Sequence, residues 1–524
     1  MRIDKVHIKT RFKNLQDFQI DIDAGERETV LLGLNATGKS NFLEALVLIF
    51  RDLDFENAPK FDYYLKYECK GHQIEIDAVN GTYNFKINDS PLKSRTLFFR
   101  NKGQYLPKHI FVYYSGINNR MKELFNPHLK KYYDSITKEG ATYSEFKEIP
   151  RLFLVDNIHG SMALIAFYLF KHREADTLKF LQEELGIKDF GSALFVLKKP
   201  RWAKESLQSD MFWGAKGLVR RFLEDLFRFS LAPIHHEETV YVDYKKNEKQ
   251  ERWYLYIKDK NTFNDLKSLK YADKIDFFNA LNSLEISDLI HDLHVNVVKE
   301  EDNIEIPNKE LSEGEKQLLT VLGMLRFTRD DDALILLDEP DTHLNPIWKW
   351  KYLEYIDRVV QKPKSTQIIF CSHDPLIIGA MEKNQVQIFK RDNQKARTYI
   401  TKPLKDPKGL GVSGILTSDL FGLPSVLDIP TQEKLNKKRF LQGKIMRDEY
   451  SELEKAEYLK LKKELDNLGF YEESEDYWFK QYIKEMSEIE SFQKVEYTDD
   501  ELTVLKQQSK KVAAKIVEAK KKGK

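Results

Sequence analysis

Apolar positions along this chain change period several times, and each change marks an element. In the first fifty residues, "MRIDKVHIKTRF" and "FQIDID" alternate apolar with polar, the pattern of half-buried strands. "ETVLLG" is nearly all apolar, and a glycine-rich loop then leads into "NFLEALVLIF", which predicts a helix from about Lys39. "HQIEIDAVNGTYNFKI" alternates on both sides of Asn80-Gly81, a strong hairpin signal. "LPKHIFVYYSG" contains a buried strand from His109 to Tyr114. Residues 118–232 have helical spacing and many aromatics, and predict an inserted helical lobe. "VYVDYKKNEKQERWYLYIKD" predicts a second hairpin and "LHVNVVKEEDNIEI" a third pair of strands. From Leu311 to Ile378 the pattern runs helix, strand, helix, strand. From Thr431 onward it is charged and helical, closing on "KKVAAKIVEAKKKGK".

Composition narrows the class without deciding it. A chain of 524 residues, 41% hydrophobic, can bury a large core and divides into roughly two to four domains. Eighty-four basic against 83 acidic residues leave a net charge of +1, so any nucleic acid or anionic membrane must be met by a local patch. Two cysteines, Cys69 and Cys371, make no disulfide framework, which fits a reducing cytosol. The start has no signal-peptide core, and the apolar run from Met162 to Phe170 falls far short of a membrane helix. A cytoplasmic, membrane-free protein is expected.

The candidate chemistry begins at "GLNATGKSN", between an apolar strand and an apolar helix. That context is what a phosphate-binding loop requires. Gly33 and Gly38 permit the tight curl that turns backbone N–H groups inward as an anion nest. Lys39 would reach the β- and γ-phosphates, Ser40 would ligate Mg²⁺, and the helix would offer its positive end. The phosphate-site set is Gly33, Asn35, Ala36, Thr37, Gly38, Lys39, Ser40 and Asn41. In "ALILLDEPDTHLNP", Leu334 to Leu337 fit a strand buried on both faces, with two carboxylates at its end. Asp338 would hold the Mg²⁺ shell and Glu339 would orient and deprotonate a water. In "TQIIFCSHDPLII", His373 stands just past a third buried strand, where it can reach a phosphate or that water. Cys371 reads as an inert core residue.

A fourth stretch, "LSEGEKQLLTVLGMLRF", opens a core helix on a serine and a glycine. Taken in order, these motifs resemble the ATP-binding-cassette ATPases, and "LSEGEKQ" resembles their signature. The resemblance implies an α/β P-loop NTPase head of ABC type, with a mixed central sheet, a helical insertion lobe and a helical C-terminal extension. The divisions expected are 1–117 and 233–430 for the two lobes of the head, 118–232 for the insertion and 431–524 for the extension. It further implies ATP and Mg²⁺ as ligands and a homodimer or higher homo-oligomer. Two heads would pack head to tail, with Ser312, Gly314 and Glu315 at the γ-phosphate held by the partner's Lys39. Glu313 departs from the transporter pattern, where glycine is usual, and leaves a slow hydrolysis open.

"GKSN" is similar to chromosome-maintenance and RecF-like heads. "DEPDTHLNP" and "FVYYSG" followed by "NNR" are similar to small ATPases of bacterial anti-phage defence. "RFKNLQDFQI" resembles their first strand, where a basic residue approaches the phosphates, so Arg11 and Lys13 are candidates. No Asp-x-Asp pair follows His373 at a strand end, and the acidic "EESEDYWF" reads as a helix start, so no built-in nuclease is expected. The region after the cassette resembles the PtuA-type ATPases of Septu and retron systems. That implies a separate HNH nuclease subunit as partner and, in the retron branch, a reverse transcriptase and its RNA–DNA product (msDNA). The rival readings are a RecF-like repair clamp without a toxic effector and a scaffold that binds ATP but barely hydrolyses it. Finally, Lys198 to Arg221 interleaves basic residues with Trp202, Phe212 and Trp213. This suits phosphate contact plus base stacking, and equally an amphipathic lobe with a solvated basic face.

Overall fold

A computed structural model describes the chain apart from residues 24, 117–119, 142–148, 204–209, 301–303, 328–331, 361–364, 393, 395–396, 471–498 and 522–524. Its contacts divide it into two compact units, Met1–Leu423 and Pro424–Lys524. No described helix is long and apolar enough to cross a membrane.

The first unit is built on a seven-stranded sheet. Its spatial order is Arg397–Thr401, Val386–Asp392, Glu28–Gly33, Gln367–Cys371, Ala333–Asp338, His109–Tyr114 and Leu152–Val155. All neighbours are parallel except the first pair. The apolar strands explain themselves by register. Leu334 and Leu336 point into one buried cluster with Leu31, Ile110 and Ile369, while Ile335 and Leu337 point into the other with Val30 and Phe370. The parallel pairing brings Asp338 beside Cys371 on one side and Tyr114 on the other. The strand ends therefore form one row.

A six-stranded antiparallel sheet covers one core. It runs in the order Phe18–Asp21, Arg2–Ile8, Tyr63–Cys69, His72–Val79, Thr82–Ile87 and Ser90–Pro91. The Asn80-Gly81 turn takes left-handed φ values of 50° and 75°, the geometry that made the dipeptide a hairpin signal. Between this sheet and the parallel one lies the helix Lys39–Phe55, buried along nearly its whole length.

The expectation of a helical lobe over 118–232 needs correcting. Leu152–Val155 joins the central sheet, and Ile187–Lys198 is a long strand in a third, antiparallel sheet with Ile234–Asp243, Lys246–Ile257, Ile290–Lys299 and Glu305–Pro307. Helices Arg120–Ile136, Asn157–Leu169, Ala175–Leu185 and Gly217–Phe229 do occupy the same segment. The strand escaped notice because its partners lie far along the chain, so only tertiary pairing defines it.

The aromatic half of the nucleic-acid expectation also fails. Phe212 and Trp213 are buried core residues, and Trp202 packs on the same cluster with its indole N–H donated to the Ser287 carbonyl at 2.8 Å. Lys198 and Lys199 are ion-paired to Asp288 and Glu251 at 2.6 and 2.9 Å. Phe212 and Trp213 are not available to stack on bases.

In the second unit, helices Ile429–Met446 and Glu452–Asn467 pair as a hairpin with ion pairs Lys434–Glu464 and Lys444–Glu454 at 2.9 and 2.6 Å. Helix Asp499–Lys521 follows. The acidic stretch from Glu472 to Phe479 lies outside the described residues.

The helix Glu313–Phe327 crosses Asn157–Leu169 at glycines. A Cβ on Gly160 would lie 2.5 Å from the Thr320 hydroxyl and 3.1 Å from its Cα. Overpacking of this kind costs about 1–3 kcal/mol. Gly160→Val should therefore lower the unfolding free energy in urea by that amount and shift the midpoint down, and an unchanged midpoint would refute the close crossing.

Candidate functional site

At the carboxyl end of Glu28–Gly33 the chain curls through a loop with left-handed φ at Gly33 (149°), Ala36 (64°) and Gly38 (108°). Side chains are excluded at the two glycines, since a Cβ at Gly33 would meet the Phe389 carbonyl at 2.4 Å and one at Gly38 the Asn14 amide at 2.9 Å. The Thr37 hydroxyl donates across the loop to the Leu34 carbonyl at 2.7 Å. The helix Lys39–Phe55 starts at Gly38 with no side-chain cap, so its first N–H groups are left to an anion. Lys39 folds back over the loop and donates to the Gly33 carbonyl at 2.7 Å and the Leu34 carbonyl at 3.3 Å. Burial lowers its pKa, while Glu339 and Asp338 pull the other way.

The carboxylates stand in the next strands. Asp338, 4% exposed, has the Ser40 hydroxyl and the Cys371 thiol beside it; burial raises its pKa and these two groups oppose the rise. Cys371 is fully buried, as expected of a core residue, and burial keeps its thiol protonated beside that carboxylate. Glu339 has φ +52°, in the left-handed region, and its carboxylate lies 3.7 Å from His373 Nε2. That nitrogen is buried with no hydrogen-bond partner among the described residues. Burial first, then the Lys39 charge, lower the His373 pKa against the pull of Glu339, so the ring is neutral at pH 7. A buried, unpartnered ring nitrogen facing a carboxylate suits a phosphate oxygen or a water between them.

Asp338 and Ser40 together present adjacent hard oxygen donors, which fits a small divalent cation. In front of the loop opens a cavity of about 560 Å³, lined by Leu34, Asn35, Thr37, His373, Tyr399 and Phe421. Its size is in the range of small-molecule sites.

The remaining expected residues fall into two groups. Lys13 pairs with Glu44 on the loop's helix at 2.5 Å, and Arg11 donates to the Lys13 carbonyl at 3.1 Å. Ser312 and Glu315 form a capping box: Glu315 N–H donates to the Ser312 hydroxyl at 3.2 Å, and the Glu315 carboxylate accepts from Ser312 N–H at 2.8 Å. The Glu315 carboxylate also pairs with Lys299 at 2.7 Å. None of these bonds runs to the phosphate loop of the same chain.

Asn14 and Asp341 carried no recognisable signal. Asn41 donates to Asn14 at 2.7 Å and accepts from Arg120 at 3.2 Å, and Asn14 donates to the Ala36 carbonyl at 3.1 Å, tying the loop to the first antiparallel turn. Arg120 was visible only as the end of "NNR"; Asn118 and Asn119 lie outside the described residues. Asp341 accepts from the Ser372 hydroxyl at 2.9 Å behind the carboxylate pair.

A glycine phosphate loop, a buried aspartate on its serine, a second carboxylate and a histidine, all at the carboxyl ends of adjacent parallel strands, define a P-loop ATPase head. The AAA ATPase domain family matches residues 1–378, and the chain belongs to that family. It is 30% identical over 168 residues to the Septu protein PtuA of Bacillus mycoides (strain KBAB4), which covers 30% of this chain but only 23% of that protein. It is 23% identical over 459 residues to the retron Vc95 probable ATPase of Vibrio cholerae serotype O1 biovar El Tor, covering 79% of each. With the retron Ec83 probable ATPase of Escherichia coli it shares 22% identity over 483 residues, 83% of this chain and 78% of that one. Among solved structures, an Smc head domain of Pyrococcus furiosus covers 76% of this chain and 96% of its own at 13% identity and a TM-score of 0.33, too loose to bear weight.

Burial raises the Asp341 pKa from 3.8 to about 6, against the Ser372 hydrogen bond and the Lys349 charge. Well below 3.8 the carboxyl is neutral folded and unfolded; between 3.8 and about 6 the unfolded chain gives up the proton while the folded state keeps it, so stability falls across that window and stays low above it. Asp341→Asn should match wild type in stability at pH 2.5 and exceed it at pH 7.5 by roughly 3 kcal/mol, read from denaturant unfolding at the two values. An equal effect at both values would contradict the buried charge.

Proposed function

We propose that this chain is the ATP-binding and ATP-hydrolysing regulatory subunit of a bacterial anti-phage defence complex. Two copies dimerise head to tail on Mg-ATP and control a separate HNH-type nuclease, with a reverse transcriptase and its msDNA as further partners where the system is a retron. The observation that carries the ATP-driven pairing is the division of labour within one chain. A full phosphate loop with its carboxylates and histidine stands in one place, while among the described residues the exposed Ser312 bonds within its own helix start. A helix N-terminus set apart in this way is suited to a phosphate held by another copy. The defence setting is supported by the relatives, Septu PtuA and two retron ATPases.

The reaction follows from the residues. Loop amides and Lys39 bind the β- and γ-phosphates in the anion nest. Asp338 and Ser40 would hold magnesium, which neutralises charge on the phosphate oxygens when bound. Glu339 orients a water and accepts its proton as the water oxygen bonds to the γ-phosphorus. The bond to the β-phosphate oxygen breaks and ADP leaves. Neutral His373 donates or accepts a hydrogen bond at the γ-phosphate or the water. Positioning and charge stabilisation supply most of the acceleration in such transfers.

Lys39→Ala should abolish ATP binding in a calorimeter, and retained binding would sink the phosphate-loop assignment. Glu339→Gln keeps the loop and removes the proton acceptor. It should bind ATP, release phosphate at least about 100-fold more slowly, as loss of a general base does, and elute as a dimer with ATP. Wild-type turnover by this variant, or a monomer with ATP bound, would overturn the role of Glu339 or the head-to-tail pairing respectively.

A further inference from the structure

Beside its start, the helix Glu313–Phe327 turns the polar side chain of Gln317 inward. Gln317 is 2% exposed, and both ends of its amide are spent on other elements. Its Nε2 donates to the Tyr113 hydroxyl at 3.2 Å and to the Glu339 carbonyl at 3.4 Å, and its Oε1 accepts from the His343 N–H at 2.9 Å. Tyr113 belongs to the strand His109–Tyr114, and Glu339 and His343 bound the turn that follows Asp338. One side chain thus joins the helix, the strand and the turn.

The turn needs holding. Glu339 is a non-glycine residue at φ +52°, a backbone state that costs of order 1 kcal/mol or more and persists only when its surroundings over-determine it. Its N–H donates to the Cys371 carbonyl at 3.1 Å. Its carbonyl accepts from the Thr342 hydroxyl at 2.8 Å and from Gln317. Just before Gln317 on the same helix, a Cβ on Gly314 would lie 2.7 Å from the His343 carbonyl, so helix and turn also meet backbone to backbone.

We propose that Gln317 is a positioning residue for ATP hydrolysis. It fixes the 339–343 turn so that the Glu339 carboxylate faces His373 and the phosphate loop. It sits on the helix whose start, at Ser312, reaches the neighbour's nucleotide. It therefore ties each chain's water-orienting carboxylate to that chain's grip on its partner's γ-phosphate, and the two ATP sites of the dimer respond to each other. The coupling half of this inference rests on the head-to-tail reading given above; the positioning half needs only the phosphate-loop assignment.

Gln317→Met conserves volume and removes all three hydrogen bonds. Gln317→Glu keeps an acceptor for His343 but turns a second acceptor oxygen toward the Glu339 carbonyl. Both are made in the full chain, and phosphate release is followed against ATP concentration alongside binding of a fluorescent ATP analogue and a thermal melt. The expected result is a fall in kcat of about tenfold, the scale of one lost positioning hydrogen bond, with analogue Kd within about twofold of wild type and a Hill coefficient that drops to 1. A merely structural role would instead lower the melting temperature and move Kd together with kcat, and that outcome overturns the proposal. So does a kcat within twofold of wild type for Gln317→Met. A Hill coefficient equal in wild type and variant overturns the coupling. Lys39→Ala, measured in parallel, separates the failures: analogue binding retained there refutes the phosphate-loop reading, whereas binding lost there with normal kcat in the Gln317 variants refutes this inference alone.

Discussion

Six adjacent parallel strands, buried on both faces, leave no side chain within the sheet for chemistry. Every reacting group must then stand at the strand ends, and register decides which ends meet. Asp338 lies level with Cys371 and Tyr114, and Cys371 level with Leu31 in the strand that ends at Gly33. Slipping any of these strands by one residue would exchange its two apolar faces and break both cores together. The burial that stabilises the unit is thus also what holds the phosphate loop, the carboxylate pair and the histidine in one row.

The same burial sets the electrostatics of that row. It pushes Asp338 toward its neutral form and lowers the Lys39 and His373 pKa values, so each group is short of charge stabilisation in the protein alone. Lys39 bonds to two neutral carbonyls of its own loop, and His373 Nε2 has no partner among the described residues. A phosphate anion with its cation answers these demands at once: it gives the ammonium a charged acceptor, Asp338 a metal and the histidine a hydrogen bond. The site is electrostatically complementary to a metal-bound polyphosphate and would be poorly matched to a neutral ligand.

Much of this was legible in the residues because the decisive signals are local. A strand, a glycine loop and a helix adjoin in sequence, and the runs ending at Asp338 and Cys371 declare two-sided burial by being apolar throughout. What stayed hidden depends on distant pairing. Ile187–Lys198 becomes a strand only against residues 252–257 and 290–299, and its mixed apolar spacing fitted a helix when read alone. The basic, aromatic stretch misled for a related reason: composition cannot say which way Trp213 points, and the fold points it inward, its indole N–H donated to Glu251. Gln317 looked like one more polar position on an amphipathic helix. Its importance lies in three partners that are between 22 and 204 residues away in the chain, so no window of sequence contains them.

The helix Glu313–Phe327 is held along its length by three unlike interactions. Near its start Gln317 binds the catalytic turn; along its flank Thr320 packs against Gly160; at its end Arg326 donates to Glu174 at 2.8 Å, each side chain 3% exposed, and Lys274 completes the cluster at 2.6 Å from Glu174. Apolar packing alone would tolerate sliding or rotation with partial repacking. A buried ion pair does not, since separating either partner leaves an uncompensated charge in low dielectric. Nor does a buried amide whose donors and acceptors have no water to turn to. The helix and the turn that carries Glu339 are therefore joined by bonds that cannot slide without exposing buried polar groups, the condition that the proposed coupling between Ser312 and the carboxylate requires. Stiffness, more than proximity, is what the proposed link between the Ser312 helix start and the Glu339 turn rests on.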